Sequence, residues 1–261
     1  MEYTSPVDVP RPVAVSMGRT LGISPIVYLS ASNAGSTMSV WDHLDVLAES
    51  AAAFGYVGAT PARLAEILLE HLSFRNADLV LVALVPDPMS HVAAPPGFNW
   101  FVHLEPFTPA LVDGPGAHDD ITHREPLRLG FSRCYRNHRD PSSRWMLWDD
   151  LQLDLVDRQA REQGMDALIV LNGEGRVASV GSWTVLLDIG DRFVTPPLSE
   201  GALDTPWRRH VLYSGEATES PLKVDSLTSD ENVVVLSPWG DQRPAVIVEA
   251  PVVTESSQVT C

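Results

Sequence analysis

The chain has 261 residues, of which 44% are hydrophobic and 20% charged, a composition typical of a globular protein and not of a disordered segment. Its 34 acidic residues outnumber 18 basic ones and give a formal net charge of −16. This is the wrong sign for a surface that gains affinity by neutralising phosphates, so we predict neither a nucleic-acid partner nor a membrane partner.

Signals for metal sites, export and membrane insertion are also weak. The two cysteines, Cys134 and Cys261, are too few for a disulfide framework or a zinc ribbon, and we predict no metal site. Residues 1–11 contain acids and prolines and show no basic segment followed by an apolar run, which argues against a secretory signal. The longest apolar run, residues 79–85, is far shorter than the ~20 residues that span a bilayer. These features predict a cytoplasmic protein.

The first half of the chain alternates predicted strands and helices. A strand is predicted over Ser24–Asn33. Ser39 and Asp42 have the spacing of a capping pair, and the apolar residues that follow recur at helical spacing. Thr60, followed by proline, marks the start of a second helix, and Leu79–Val85 is a predicted buried strand.

A boundary between two domains is predicted near the middle of the chain. Pro, Gly, His and Asp are concentrated between residues 86 and 125, and residues 113–116 (DGPG) are the clearest cluster of turn residues. The predicted organisation is a leader (1–23), a small N-terminal α/β domain (24–112), a linker (113–125), a larger C-terminal α/β domain (126–253) and a flexible tail (254–261).

The second half begins with a predicted strand over Leu127–Tyr135 and a helix over Asp149–Gln163 that ends at Gly164. A hairpin is predicted to join strands at Asp166–Leu171 and Val177–Val180. The remaining predicted strands are Trp183–Leu187, Arg192–Thr195, Val233–Ser237 and Ala245–Glu249.

Two motifs of the second half resemble those of the fold-type IV pyridoxal-phosphate enzymes. The first is residues 164–177, GMDALIVLNGEGRV, and the second is residues 193–203, FVTPPLSEGAL. Branched-chain aminotransferases, D-amino-acid aminotransferases and aminodeoxychorismate lyases belong to this family. The resemblance covers about Ser24 to Glu249. It implies a two-domain α/β (α+β) fold of the fold-type IV aminotransferase type, usually homodimeric, with a site between the domains.

The residues that hold the cofactor in that family are not matched here. The Schiff-base lysine corresponds to Met146, whose thioether cannot supply a primary amine, and the only lysine of the chain, Lys223, lies in a different segment. The acid that pairs with the pyridine nitrogen corresponds to Ser179. A serine can form a hydrogen bond but cannot keep the pyridinium charged.

The phosphate-binding residues of the family are replaced as well. Its early arginine corresponds to Val46, and the turn whose N–H groups hold the phosphate corresponds to residues 205–207, where Pro206 has no N–H to donate. The strand arginine nearest the substrate corresponds to Ala31. These departures all predict a chain that has kept the fold and lost pyridoxal phosphate, so no cofactor is predicted.

An arginine-rich stretch precedes the lysine position. Residues 133–140 (RCYRNHRD) and Arg144 contribute four arginines, and a guanidinium suits a small anionic substrate with a carboxylate. The predicted catalytic residues are Tyr135 and His138, as general acid or base, and Arg133. Alternatively, these arginines pair with some of the surplus acids.

Further side chains are predicted to bind substrate. They are a tyrosine, arginines that suit a carboxylate, tryptophans and a methionine that would line an apolar pocket, and hydroxyl residues that the resemblance places on the cofactor face. These are Tyr28, Arg136, Arg144, Trp145, Met146, Trp148, Ser179, Ser182, Thr184 and Ser237. The tryptophans and the methionine alternatively fill the vacated volume, and the hydroxyls are alternatively ordinary strand residues.

The leading hypothesis is a cofactor-independent enzyme of the isomerase, lyase or cyclase type that acts on a small carboxylated metabolite, in specialised biosynthesis. Such reactions need only proton transfer by Tyr, His, Asp or Arg side chains. Two alternatives stay open, since fold alone does not decide function. One is a non-catalytic relative that binds a metabolite or a partner subunit, and the other retains pyridoxal or pyridoxamine phosphate without a covalent bond.

Overall fold

The structure is a computed structural model, and it describes residues 24–30, 39–71, 79–86, 100–106, 125–148, 150–227 and 233–248. The described residues form two compact units. The first contains residues 24–106 and 146–148, and the second contains residues 125–145 and 150–248. The predicted leader, the predicted tail and most of the predicted linker lie outside the described residues, so the proposed domain boundaries stay predictions.

The first unit is a small antiparallel sheet with two helices. Its strands pair in the order β1-β2-β3. The elements are β1 (Ile26–Ser30), α1 (Val40–Ala53), α2 (Pro61–His71), β2 (Leu79–Pro86) and β3 (Trp100–Pro106). One apolar cluster contains Leu44 and Leu47 of α1, Leu64 of α2 and Val82 of β2, all fully buried. The helices therefore cover one face of the sheet.

The two helices of this unit start where the capping residues predict. The Ser39 backbone N–H donates to the Asp42 carboxylate at 2.7 Å, and Thr60 Oγ1 accepts from the Arg63 N–H at 3.3 Å. Strand β3 was not predicted. It lies in the Pro- and Gly-rich region in which we predicted the domain boundary, and it forms because Trp100–Pro106 pairs with all of β2 except its first residue.

The second unit contains an eight-stranded mixed sheet in the order β6-β5-β4-β11-β10-β7-β8-β9. Its strands are β4 (Leu127–Arg136), β5 (Ala167–Asn172), β6 (Val177–Val180), β7 (Thr184–Asp188), β8 (Phe193–Thr195), β9 (Ala217–Glu219), β10 (Val233–Leu236) and β11 (Gln242–Ile247). A backbone bridge between Val180 and Trp183 joins the outer strand β6 to the start of β7, so the sheet curls.

Helices α3 (Leu151–Gln163) and α4 (Pro206–Tyr213) pack on this sheet. The main core cluster contains Ile169, Val185 and Val235, whereas their strand neighbours point to the other face. There, α3 packs on residues 168 and 170, and α4 packs on residues 186 and 236. Both faces of the sheet are thus buried.

Most elements of the second unit agree with the predicted ones within two or three residues, and α3 ends at Gly164 in the left-handed conformation, with φ 66°. Helix α4 and strand β9 were not predicted. No helix among the described residues is long and apolar enough to cross a membrane.

Candidate functional site

The segment between β8 and α4 organises the polar groups of the second unit. This segment contains two acids, Glu200 and Asp204, whose side chains are almost completely buried. A buried carboxylate is costly unless charged partners or hydrogen bonds compensate it. Glu200 pairs with Arg176, and Asp204 pairs with Arg144 and Arg209. Arg144 and Arg176 are distant in sequence from these acids, whereas Arg209 follows Asp204 by five residues.

Glu200 connects this segment to the hairpin of β5 and β6. Its Oε2 atom accepts a hydrogen bond from Asn172 Nδ2 at 2.6 Å and another from Arg176 Nε at 2.6 Å. Arg176 also lies 2.7 Å from the Glu174 carboxylate, in the turn of the same hairpin. The hairpin turn is thereby held beside the residues that follow β4.

His138 lies in the turn that follows β4, next to this hairpin. Its Nε2 atom is 3.4 Å from Glu174 Oε1, and the ring is half-buried. The other ring nitrogen, Nδ1, is buried and has no hydrogen-bond partner among the residues that the structure describes. A carboxylate that orients one imidazole nitrogen leaves the other available as a proton acceptor. This pair has the composition of a general acid–base unit.

Asp204 is held by two arginines. Arg209 donates from Nε to Oδ1 at 2.8 Å and from Nη2 to Oδ2 at 3.0 Å, and Arg144 Nη2 also donates to Oδ2. Burial alone would raise the pKa of Asp204, but hydrogen bonds and positive charge from Arg209 and Arg144 outweigh it, and the pKa lies below its ordinary value. Asp204 is therefore ionised at neutral pH.

Arg136 is buried, and its guanidinium is committed to the chain that precedes α3. Nη1 donates to Asp150 Oδ2 at 3.2 Å and to Gln152 Oε1 at 3.0 Å, and Nη2 donates to the Ser143 carbonyl. Its side chain crosses Gly201, where an added Cβ would lie 2.9 Å from Arg136 Cγ. Arg136 was predicted to bind substrate, but these contacts fit a positioning residue.

The other predicted polar residues of β4 alternate as expected for a strand. Arg133 is exposed and Tyr135 half-buried, whereas Cys134 and Arg136 are buried. The backbone N–H of Arg133 donates to Gln159 Oε1 at 3.0 Å, and the Tyr135 carbonyl accepts from Gln152 Nε2 at 2.7 Å. Among the described residues, His138 has a carboxylate partner and Arg133 has none.

The aromatic and methionine candidates divide between the two units. Trp145 belongs to the second unit, is buried, and has the Arg144 guanidinium 4.4 Å from its ring centroid. Met146 belongs to the first unit and is buried, and its carbonyl accepts from the Ile26 N–H at 3.1 Å. Trp148, also in the first unit, lies 4.8 Å from His103 between ring centroids. Tyr28 is half-buried on β1 of the same unit.

Two of the four predicted hydroxyl residues stand out. Ser179 and Thr184 are 2% and 5% exposed, and neither hydroxyl has a hydrogen-bond partner within the described part of the chain. Ser179 pairs with Val170 and Thr184 with Leu236, which places both on the sheet face that the helices cover. Ser182 is half-buried in the turn between them.

Ser237 differs from these two, although it is fully buried. Its Oγ accepts a hydrogen bond from the Asp241 N–H at 2.7 Å, in the turn between β10 and β11. A satisfied hydroxyl in a turn has a sufficient structural role. Ser237 therefore differs in environment from Ser179 and Thr184.

The start of α4 is capped by the chain itself. Thr205 Oγ1 accepts from the Arg208 N–H at 3.1 Å, and Pro206 occupies the first helical position. A helix start offers only a few unpaired N–H groups. Here proline removes one of them and the threonine hydroxyl satisfies another.

Comparison with known proteins assigns the chain to a family. The model of amino-transferase class IV matches residues 30–242. The chain belongs to the amino-transferase class IV family. This confirms the resemblance inferred from the two motifs of the second half. A search of curated proteins finds no match for this family member.

Solved structures similar to this class IV protein include aminotransferases and a lyase. The branched-chain amino acid aminotransferase of Escherichia coli has a TM-score of 0.72 at 19% identity, over 90% of this chain and 80% of that chain. A Legionella pneumophila protein described as 4-amino-4-deoxychorismate lyase has a TM-score of 0.70 at 18% identity, over 90% and 89% of the two chains. The branched-chain aminotransferase of Thermoproteus uzoniensis has a TM-score of 0.70 at 19% identity, over 92% and 84%. These likenesses confirm the predicted α/β fold of the fold-type IV type.

The single lysine of this class IV protein, Lys223, belongs to the second unit. Lys223 is exposed, and its backbone forms a bridge with Arg176 at the β5–β6 hairpin. Sequence reasoning missed six residues of the polar clusters, namely Asn172, Glu174, Arg176, Glu200, Asp204 and Arg209. An acid directly after the apolar residues Ala202 and Leu203 was the one sequence signal that could have pointed to Asp204.

Proposed function

We propose that this class IV family member is a cofactor-independent enzyme that moves protons on a small carboxylated metabolite, in an isomerisation, elimination or cyclisation. The His138–Glu174 pair carries the proposal, because Nε2 faces a carboxylate at 3.4 Å while the buried Nδ1 has no partner among the described residues. A positioned histidine of this kind contributes roughly 10²–10⁴-fold to a proton transfer.

The residues at the positions of the family's cofactor site do not fit pyridoxal phosphate. Met146 has no amine to join the cofactor, and Ser179 has no charge to pair with a pyridinium. At the start of α4, Pro206 and the Thr205 cap take up N–H groups that a phosphate would need.

The proposed chemistry uses side chains alone. In the proposed step, substrate binding makes the buried Nδ1 of His138 accessible. Nδ1 then takes a proton from a substrate carbon beside a carbonyl or carboxylate group, and the electron pair of that C–H bond stays on the substrate. Glu174 stabilises the imidazolium that forms. The same proton then returns to a different substrate atom in an isomerisation, or to a leaving group in an elimination. Tyr135, half-buried on the neighbouring strand, is the proposed second acid.

Deuterium exchange tests this proposal without knowledge of the net reaction. The purified protein is incubated in D₂O with a panel of small carboxylates, including intermediates of any biosynthetic enzymes encoded beside it, and followed by NMR and mass spectrometry. We expect carbon-bound deuterium or a new product with at least one member. His138→Gln should lower the rate by about 100-fold or more, and Glu174→Gln by a smaller factor.

Arg158→Gln is the matched control, because Arg158 lies in an exposed pair with Glu162 on α3. It should leave the rate unchanged. Unchanged substrates throughout the panel, together with saturable binding of one of them, would instead favour a non-catalytic metabolite-binding protein. A visible absorption band from bound pyridoxal in the purified protein would overturn the cofactor-independent proposal.

The proposal also includes a cytoplasmic homodimer. This expectation rests on the family resemblance and on the sequence features that argue against export. Light scattering coupled to size exclusion tests the dimer, and a monomer at micromolar concentration would contradict it.

A further inference from the structure

At the start of α4, the carboxylate of Asp204 forms ion pairs with two guanidinium groups, those of Arg144 and Arg209. Acidic residues outnumber basic ones by 34 to 18 in this chain, so arginines should easily find acids of their own. Arg158 with Glu162 is such a one-to-one pair among the described residues. Arg144, in contrast, has Asp204 as its ionic partner in the described part of the chain, and shares it with Arg209. Arg144 thus has no acid of its own among the described residues.

The geometry leaves the arginines open to solvent and the acid buried. The side chains of Arg144 and Arg209 are 39% and 31% exposed, against 2% for Asp204. A guanidinium carries five N–H groups, and Arg144 directs Nη2 to Asp204. Its Nε is buried without a hydrogen-bond partner among the described residues. Nη1, in contrast, donates to no described residue, and because the side chain is 39% exposed this group can donate to a ligand oxygen.

Both guanidinium groups are held in place before any ligand arrives. Arg209 grips Asp204 through two hydrogen bonds, and Arg144 stacks over Trp145 at 4.4 Å. The Asp204 N–H also donates to the Arg144 carbonyl at 2.7 Å, which fixes the two backbones together. Preorganisation of this kind removes much of the entropy that a flexible arginine loses on binding.

We propose that Arg144 and Arg209 form an oxyanion subsite for the carboxylate of the substrate, with Asp204 as the built-in counter-ion that positions both arginines. This inference rests on the proposed function, since it names the group that the substrate presents. Planar carboxylate oxygens match the fork of a guanidinium, and a phosphate shares the same hydrogen-bonding chemistry. Asp204 also competes with the ligand, because its negative charge lies between the same two cations.

Anion binding to the full-length protein tests the subsite directly. The probes are acetate and inorganic phosphate, each compared with chloride at equal ionic strength, and binding is followed by calorimetry and by thermal unfolding. We expect acetate to bind the unmodified protein and to bind Arg144→Gln at least about tenfold more weakly. Asp204→Asn, which keeps the side-chain shape and removes the competing charge, should bind acetate about tenfold more tightly.

Arg158→Gln is again the matched control and should bind as the unmodified protein does. Equal acetate binding by Arg144→Gln and the unmodified protein would overturn the subsite, and so would an Asp204→Asn protein with no gain in affinity. If Asp204→Asn fails to fold, the Arg144→Gln comparison decides alone. Phosphate binding that exceeds acetate binding and depends on Arg144 would replace the carboxylate by a phosphorylated substrate, and so overturn the assignment to a carboxylate.

The failure of this inference and that of the proposed function are distinguishable. Acetate binding needs no turnover, and His138→Gln should bind acetate normally while losing deuterium exchange. Anion binding that depends on Arg144 in a protein without any exchange activity would remove the catalytic proposal and keep the subsite.

Discussion

Gly240 lies directly against the indole ring of Trp207. A Cβ atom at residue 240 would be 2.3 Å from Trp207 Cε2, and Gly240 has a φ of 96° that favours glycine. The turn between β10 and β11 thereby packs on the first turn of α4, the turn that Thr205 caps. The position of Asp204 and Arg209 depends on this contact, because they flank the same turn of the helix.

Gly240→Ala should lower the free energy of unfolding by about 3 kcal/mol, since it adds a steric clash to the strain of a positive φ. Gly190→Ala is the matched control, because Gly190 has a φ of 99° and no atom within 4 Å of its added Cβ. We expect the control to cost about 1 kcal/mol from backbone strain alone. Urea unfolding of both variants measures the difference. Equal losses in the free energy of unfolding would show that the Trp207 side chain moves aside without destabilising the fold.

For the buried hydroxyls of Ser179 and Thr184, we predict that substitution does not lower the free energy of unfolding, in contrast to Gly240→Ala. Because neither has a partner within the described part of the chain, Ser179→Ala and Thr184→Val should leave the free energy of unfolding unchanged or raise it by about 1 kcal/mol. Ser237→Ala, in contrast, should cost about 1 kcal/mol, since it removes the acceptor of the Asp241 N–H. Ligand binding should weaken in the first two variants and not in the third.

A loss of stability in Ser179→Ala and Thr184→Val, of the size seen for Ser237→Ala, would contradict this assignment. It would show that these hydroxyls serve the fold. Thermal unfolding with and without a substrate found in the exchange panel separates the two roles, because only a ligand-contacting hydroxyl affects the ligand-induced shift in Tm.

His43 predicts how stability depends on pH. Burial lowers the pKa of His43 from 6.5 to about 4, although the charge of Asp42 and the backbone of Tyr28 act in the opposite direction. Between these values the unfolded chain binds a proton that the folded chain does not. The free energy of unfolding should therefore fall by about 3 kcal/mol as the pH decreases from 6.5 to 4.

Replacing His43 by glutamine removes this titration. We expect the pH dependence between 6.5 and 4 to become flatter, whatever the variant loses in stability at pH 7. Asp204 acts in a separate window, because its lowered pKa stabilises the fold above its unfolded value of 3.8 and this contribution is lost only at lower pH. Urea unfolding at several pH values checks both, and an unchanged slope in His43→Gln would refute the assignment.

The sequence correctly predicted the helix ends that depend on interactions between residues close in sequence. The caps at Ser39 and Thr60 and the left-handed Gly164 each mark a helix end that depends on neighbours in sequence. Strand β3 and helix α4 depend instead on distant partners. Residues 100–106 become a strand by pairing with β2, and residues 206–213 become a helix with a single buried apolar side chain, Val211, besides the N1 proline.

The sequence predicted which residue types occur in the candidate site, but not which side chains contact one another. The arginine-rich stretch was visible, but strand alternation says only that Arg136 and Cys134 share a face. It does not indicate that Arg136 is committed to Asp150, or that Arg144 reaches an acid 60 residues later. The contact of His138 with Glu174 likewise depends on the hairpin geometry, to which Asn172 and Glu200 contribute.

Residue 146 provides the most direct test of the family relationship. Met146→Lys introduces the amine that the resemblance places here, yet Ser179 and Pro206 remain unsuited to pyridoxal phosphate. We therefore expect no stable attachment of the cofactor, and a loss of about 1–3 kcal/mol in stability because the residue is 8% exposed.

Met165→Lys is the matched control, since Met165 is also 8% exposed and lies beside α3 in the second unit. Both proteins are incubated with pyridoxal phosphate, reduced with borohydride and analysed by mass spectrometry. Similar, trace labelling of both would indicate that an amine alone does not restore the site, because pyridine and phosphate contacts are missing too. Stoichiometric labelling of residue 146 alone would mean that the remaining side chains still bind the cofactor. It would favour the alternative in which the unmodified protein, which lacks the lysine, binds pyridoxal phosphate without a covalent bond.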